Sequence, residues 1–155
     1  MKEAFSGMKR LASMLLALLL AVLPAALAEA AELSGYYGQD IAQAAEAIGG
    51  LTYEAGDEFK DNYTGDGLAL RGDGTVRLID LTGGADRYAL CGVTVGMKRD
   101  DALKGLAGYS QLWDYDEEAA FIIVADEADQ LNSQTLVLFF EDGAVSGAWY
   151  RSSEE

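Results

Sequence analysis

The chain has 155 residues, no histidine, one cysteine and a formal charge of −15, from 26 acidic against 11 basic side chains. Without histidine, Ser-His-Asp and Cys-His catalysis, His-ligated zinc and a histidine pH switch are excluded, and the lone Cys91 excludes an internal disulfide. So negative a field repels nucleic acid and anionic membrane surfaces, so neither is expected as a partner, and it serves solubility outside the cell.

Residues 1–28 read as an export signal. Lys2, Lys9 and Arg10 make a basic start, an apolar run follows from Leu11 to Leu23 broken only by Ser13, and Pro24 precedes the A-x-A cleavage site Ala26-Leu27-Ala28. The run is short for a membrane span, and no cysteine follows it to carry a lipid, so a secreted or extracytoplasmic product with no membrane attachment after cleavage is expected. Losing Lys2, Lys9, Arg10 and Glu3 leaves residues 29–155 two charges more negative than the whole chain. Their number suits one domain with a core of its own, and a monomer is expected.

The first element expected after the signal is a helix over GQDIAQAAEAIGG. Ile41, Ala44, Ala45 and Ile48 gather on one face, Asp40 caps the start with Gln43 three residues on, and Gly49-Gly50 ends the run. Residues 52–66 are compatible with strand, loop or both. Residues 68–81 then hold two strand-like runs around Asp73-Gly74, a hairpin signal. A linking strand is expected over 88–95, with Cys91 as a buried, inert thiol within it. Val93 and Val95 continue through Gly96 into a second short helix, with Ala102, Leu103, Leu106 and Ala107 on one face, Asp100 and Asp101 in the first turn and Gly108 as a left-handed stop. Trp113 and Tyr115 follow on a strand, then the apolar run 119–125, a polar loop over 126–133, and a second hairpin over 137–150 around Asp142-Gly143.

Sliding the chain by 58 residues lays Gly38 on Gly96, Ala44 on Ala102, Ile48 on Leu106 and Gly50 on Gly108, and the two hairpins are related by 69. The expectation is therefore an α+β fold: two helix-plus-antiparallel-meander repeats, about 36–81 and about 92–150, in a single domain over 29–155, forming one sheet with both helices packed on one face.

Gly92, Gly96-Met97, the charged helix from Asp100 to Gly108, Trp113, Tyr115, and Asp142-Gly143 with Val145 together resemble the repeat of the BamE/SmpA and β-lactamase-inhibitor-protein-like (BLIP-like) folds. The resemblance implies a bacterial, extracytoplasmic tandem-repeat protein whose concave, aromatic-bearing sheet face grips a partner. Lys98 stands where the family usually places Ser or Thr, and the lipid-anchor cysteine and the inhibitor's disulfides are missing.

Tyr36, Tyr37, Trp113, Tyr115, Trp149 and Tyr150 are the candidate partner contacts, since Tyr and Trp dominate binding hot spots. Strand alternation has Trp113 and Tyr115 sharing a face, and Trp149 and Tyr150 on opposite faces. The carboxylate runs near 57–66, 114–118 and 126–129 lack the spacing of an EF-hand, so neither metal nor other cofactor is expected. No carboxylate pair stands out for hydrolysis, and Arg71-Gly72-Asp73 reads as turn chemistry rather than an adhesion signal. The function expected is a secreted, non-enzymatic protein-binding or interaction module whose protein or peptide partner the sequence does not name. The alternative is an inhibitor that inserts the 126–133 loop into an extracellular enzyme.

Overall fold

The computed structural model describes residues 29–109, 111–124 and 133–152, with the backbone alone for 111–115. Residues 1–28, expected to be an export signal, and all but the last residue of the expected 126–133 loop lie outside these residues. Among the described residues no helix is long and apolar enough to cross a membrane.

The chain opens with a short strand β1 (Ala31–Glu32) and a single 3-10 turn (Ser34–Tyr36) before helix α1 (Ile41–Ile48). The α1 start follows the expected pattern: the Asp40 carboxylate accepts the Gln43 amide at 2.9 Å, and Gly49 leaves the helix at φ 77°. Four strands follow, β2 (Thr52–Ala55), β3 (Asp61–Gly65), β4 (Leu68–Gly72) and β5 (Val76–Leu81). Residues 52–66 thus hold two strands. The turn that joins β3 to β4, Asp66-Gly67 with φ 51° and 77°, is a second aspartate-glycine hairpin that sequence reading passed over.

The linking strand expected over 88–95 is only β6 (Tyr88–Ala89), and it pairs in parallel with β1 rather than joining the main sheet. Leu90 and Val93 close a tight turn through reciprocal amide-carbonyl bonds of 3.0 Å, with Cys91 at φ 51° and Gly92 at φ 77°. Val93 is buried at 2% exposure, so its apolar side chain is satisfied by packing without strand pairing. Helix α2 (Arg99–Gly105) stops earlier than expected. Its cap is Leu106 at φ −90°, and the chain unwinds through bonds from Ala107 to Lys104 and from Tyr109 to Leu106, so Gly108 makes no left-handed stop. A second set of four strands completes the chain: β7 (Gln111–Tyr115), β8 (Ala119–Val124), β9 (Gln134–Glu141) and β10 (Ala144–Ser152).

All eight strands from the two sets form one antiparallel sheet in the order β2-β3-β4-β5-β10-β9-β8-β7. The sheet reads outward the same way from its central β5–β10 seam. Each half begins with the same three bonds. Gly38 donates to Val76 at 2.8 Å, Val76 to Gln39 at 2.8 Å and Ile41 to Gly74 at 3.0 Å; correspondingly, Gly96 donates to Val145 at 2.7 Å, Val145 to Met97 at 2.8 Å and Arg99 to Gly143 at 2.9 Å.

Register sorts the side chains into rows. Leu70, Ile79, Tyr150, Leu136 and Ile122 lie side by side across five strands, with Leu68, Leu81, Ala148, Leu138 and Ala120 as the next row. These rows form one cluster with Ile41, Ala44 and Ala45 of α1 and with Ala102 and Leu106, so both helices cover the same face. The fold is therefore α+β, with a single core between that face and the helices.

Candidate functional site

The other face carries the alternate residues. One row runs Asn62, Arg71, Leu78, Arg151, Thr135 and Ile123; the next runs Thr64, Ala69, Asp80, Trp149, Val137 and Phe121. Trp149 is the centre of a built arrangement. Its indole Nε1 donates to Asp80 Oδ1 at 3.0 Å, Phe139 meets its ring edge-on at 4.9 Å between centroids, and the Arg151 guanidinium lies 5.7 Å from its centroid. Arg71 reaches the other Asp80 oxygen at 3.6 Å. Burial pushes the Asp80 carboxyl above its ordinary range, against the pull of Arg71 and the indole.

Trp149 is also one wall of a concave site of about 520 Å³, lined further by Glu58, Phe59, Arg71, Arg77 and Arg151 together with Leu78 and Asp73. Two local features make it. The β2–β3 loop is pinned over the sheet: Asp73 accepts the Lys60 amide at 3.1 Å, and Asn62 donates to the Phe59 carbonyl at 3.0 Å. On β5, pairing passes from Leu78 to Val76 opposite Arg71 and Gly72, so Arg77 is the extra residue of a bulge and lines the site beside Leu78. Asp73, expected only to form a turn, therefore also anchors a loop and sits 3.9 Å from Arg77.

The six aromatics singled out from sequence are not gathered here. Tyr150, expected as a partner contact, is a core residue: alternation in β10 turns it to the helix-covered face, where it is 5% exposed and its ring meets Tyr37 edge-on at 5.7 Å. Tyr36 and Tyr37 also pack against the core, because the entry to α1 folds back over that face. Trp149 opposes Tyr150 as alternation requires. Trp113 and Tyr115 lie on the edge strand β7, with side chains outside the described residues. The pairing with β8 slips between Leu112 and Asp114, so simple alternation does not carry from Trp113 to Tyr115. Sequence reading gave Arg71 only a turn role and passed over Arg77, Asp80 and Arg151; the available signal was a charge set among the largely apolar residues of a strand.

Two other carboxylates have structural work. Asp116 accepts the Glu118 and Ala119 amides, both at 2.8 Å, and so shapes the β7–β8 turn. Glu32 accepts the amides of Ser34, Cys91 and Gly92 and the Ser34 hydroxyl, tying the start of the domain to the middle of the chain. Cys91 is a half-buried free thiol in that turn, not a strand residue. Burial, and the Glu32 carboxylate beside it, push the thiol up to about 11, so it is protonated at neutral pH. Among the described residues no cysteine or carboxylate group converges as a metal site.

The architecture is that of an α+β protein with one sheet face under helices and the other carrying an arginine-tryptophan cluster. No family model matches the chain, and comparison with curated proteins and with solved structures found no significant match.

Proposed function

We propose that the chain is a secreted, non-enzymatic binding module of tandem BLIP-like architecture, which takes a protein partner on the sheet face opposite helices α1 and α2. The observation that carries this reading is Trp149. It stands on that face with its indole fixed by Asp80, Phe139 packed against it in a T-shaped contact and Arg151 over its ring. Tryptophan and arginine are the residues most enriched among binding hot spots, and an anchor held in place before contact loses little entropy on binding.

The duplicated architecture has its own support. The three bonds that open each half join positions related by 58 residues at the helix entry and by 69 at the hairpin, the two offsets found in the sequence. Export rests on the basic, apolar and A-x-A pattern of residues 1–28.

The test uses the exported chain as bait in the medium of its source. A specific partner is expected to be retained by the parent, and Trp149→Ala is expected to weaken its capture by about thirtyfold, the scale of a 2 kcal/mol hot spot. Far-UV circular dichroism and thermal unfolding confirm that the variant is folded. Capture unchanged by this substitution would sink the proposal.

A further inference from the structure

We infer that the free edge of β2 takes an extended segment of a partner protein, basic and apolar at alternate positions, as an added strand of the sheet. This edge is separate from the Trp149 face. β2 ends the strand order, all four of its residues are exposed, and among the described residues nothing bonds to its outer side.

The ladder fixes which backbone groups are free. Opposed residues of an antiparallel pair alternate between those that exchange amide-carbonyl bonds and those that do not. Asp66-Gly67, at φ 51° and 77°, is a two-residue hairpin, which makes Gly65 and Leu68 a bonded pair and leaves Asn62 and Thr64 to bond toward β2. Their partners Glu54 and Thr52 therefore bond inward, and the Gly56 amide keeps the same phase in its 3.3 Å bond to the Lys60 carbonyl. Tyr53 and Ala55 turn their N–H and C=O groups outward, ready for an incoming strand.

The two ends of the sheet are not alike. At β7 the pairing slips between Leu112 and Asp114, a bulge of the kind that blunts an edge. β2 runs in unbroken register with β3 and carries neither proline nor lysine. Its four residues suit a short segment rather than a long strand.

Register also sets the pattern of the occupant. Tyr53 lies beside Tyr63 and Leu70 on the helix side, its ring 50% exposed, 5.2 Å from that of Tyr63, with its hydroxyl 3.4 Å from Asp61. A β-branched side chain opposite covers that ring. Glu54 stands on the other side, where it lines a concavity of about 260 Å³ with Asp57, Glu58, Phe59, Asn62 and Arg71. Charge complementarity selects a basic residue there. Over 52–61 the carboxylates Glu54, Asp57, Glu58 and Asp61 meet only Lys60, and Arg71 beside them is matched by Asp80. The charge of the whole chain, −15, steers a cation the same way. A second copy of the chain brings its own Glu54, Asp57 and Glu58 to the edge and is repelled.

The test titrates the 15N-labelled chain of residues 29–155 with acetyl-Lys-Val-Lys-Val-Lys-amide, read at the Tyr53 and Ala55 amide resonances and compared with acetyl-Glu-Val-Glu-Val-Glu-amide. A saturable shift is expected with the lysine peptide alone, together with slowed hydrogen exchange of those two amides. Glu54→Lys is expected to weaken the lysine peptide about fivefold, as for one cross-strand charge pair. Ala55→Pro removes an outward donor and leaves the ladder to β3 intact, so it is expected to abolish the Tyr53 shift in a chain that still unfolds cooperatively. Equal shifts from the two peptides, a lysine-peptide shift that survives Ala55→Pro, or no shift up to the solubility limit overturns the inference. Concentration-dependent shifts of the same amides without peptide also overturn it, because the occupant is then a second copy. Trp149→Ala is expected to leave the titration unchanged, which keeps this edge distinguishable from the open face.

Discussion

At the scale of single residues, the most consequential carboxylate after Asp80 is Glu32, which holds a turn 59 and 60 residues away through its bonds to the Cys91 and Gly92 amides. Burial alone would push the Glu32 carboxyl up, but the bonds from Ser34, Gly92 and Cys91 together outweigh it and hold it below its ordinary 4.5. A carboxyl lowered on folding contributes stability that is present above its unfolded value and is lost as pH falls through its folded value. Glu32→Gln is therefore expected to lower stability at neutral pH by about 1 kcal/mol, discounted for the solvent exposure of the group. The difference from the parent should fade as pH drops below the carboxylate range. Urea unfolding at several pH values measures both; a constant difference across that range would refute the role given to the ionised form. No local pattern announces this contact, because its partners lie 59 and 60 residues further along the chain.

At the scale of elements, the two helices differ in how they begin. Asp40 caps α1 with its side chain, whereas Lys98 occupies the cap of α2 in extended geometry, φ −61° and ψ 138°, with no side-chain bond. Lys98→Asp is expected to add about 1 kcal/mol of stability by supplying an acceptor for the first-turn amides, and Asp40→Ala to remove a similar amount. Chemical denaturation of the two variants checks the opposite signs. These starts were legible: Asp40, Gln43 and the apolar face of α1 are local signals. The stop of α2 was not, since a glycine at 108 permits a left-handed cap without requiring one, and the chain loosened at Leu106 first. In the same way Asp142-Gly143, with φ 51° and 74°, took the hairpin geometry its composition favours, while Val93 and Val95 alternated like strand residues but found no strand to pair with.

At the scale of the molecule, two four-stranded meanders meet along β5 and β10, where Leu81 faces Ala148 and Ile79 faces Tyr150. The core cluster draws on both halves and on both helices. Residues 29–89 and 90–155 expressed separately are each expected to lack a cooperative unfolding transition, since each would expose the apolar rows its counterpart covers. Cooperative melting of either half alone by circular dichroism would disprove this dependence. The same arrangement explains the division of the two neighbouring aromatics in β10: the helices claim Tyr150, and Trp149 is left on the opposite surface.

From residue order alone come the features that depend on near neighbours: the export pattern, the absence of histidine chemistry, the two helical faces, the Asp-Gly hairpins, and the opposition of Trp149 to Tyr150. These follow from periods of 3.6 and 2 residues and from backbone sterics. Only the tertiary structure decided which sheet face the helices cover, that the 88–95 stretch would turn rather than extend, and that Arg71, Arg77 and Arg151 would converge beside Trp149. Those outcomes depend on strand order, on a bulge and on a pinned loop, which bring together residues as many as 93 positions apart (Glu58 and Arg151), and such contacts are selected by packing of the whole chain rather than by any local preference.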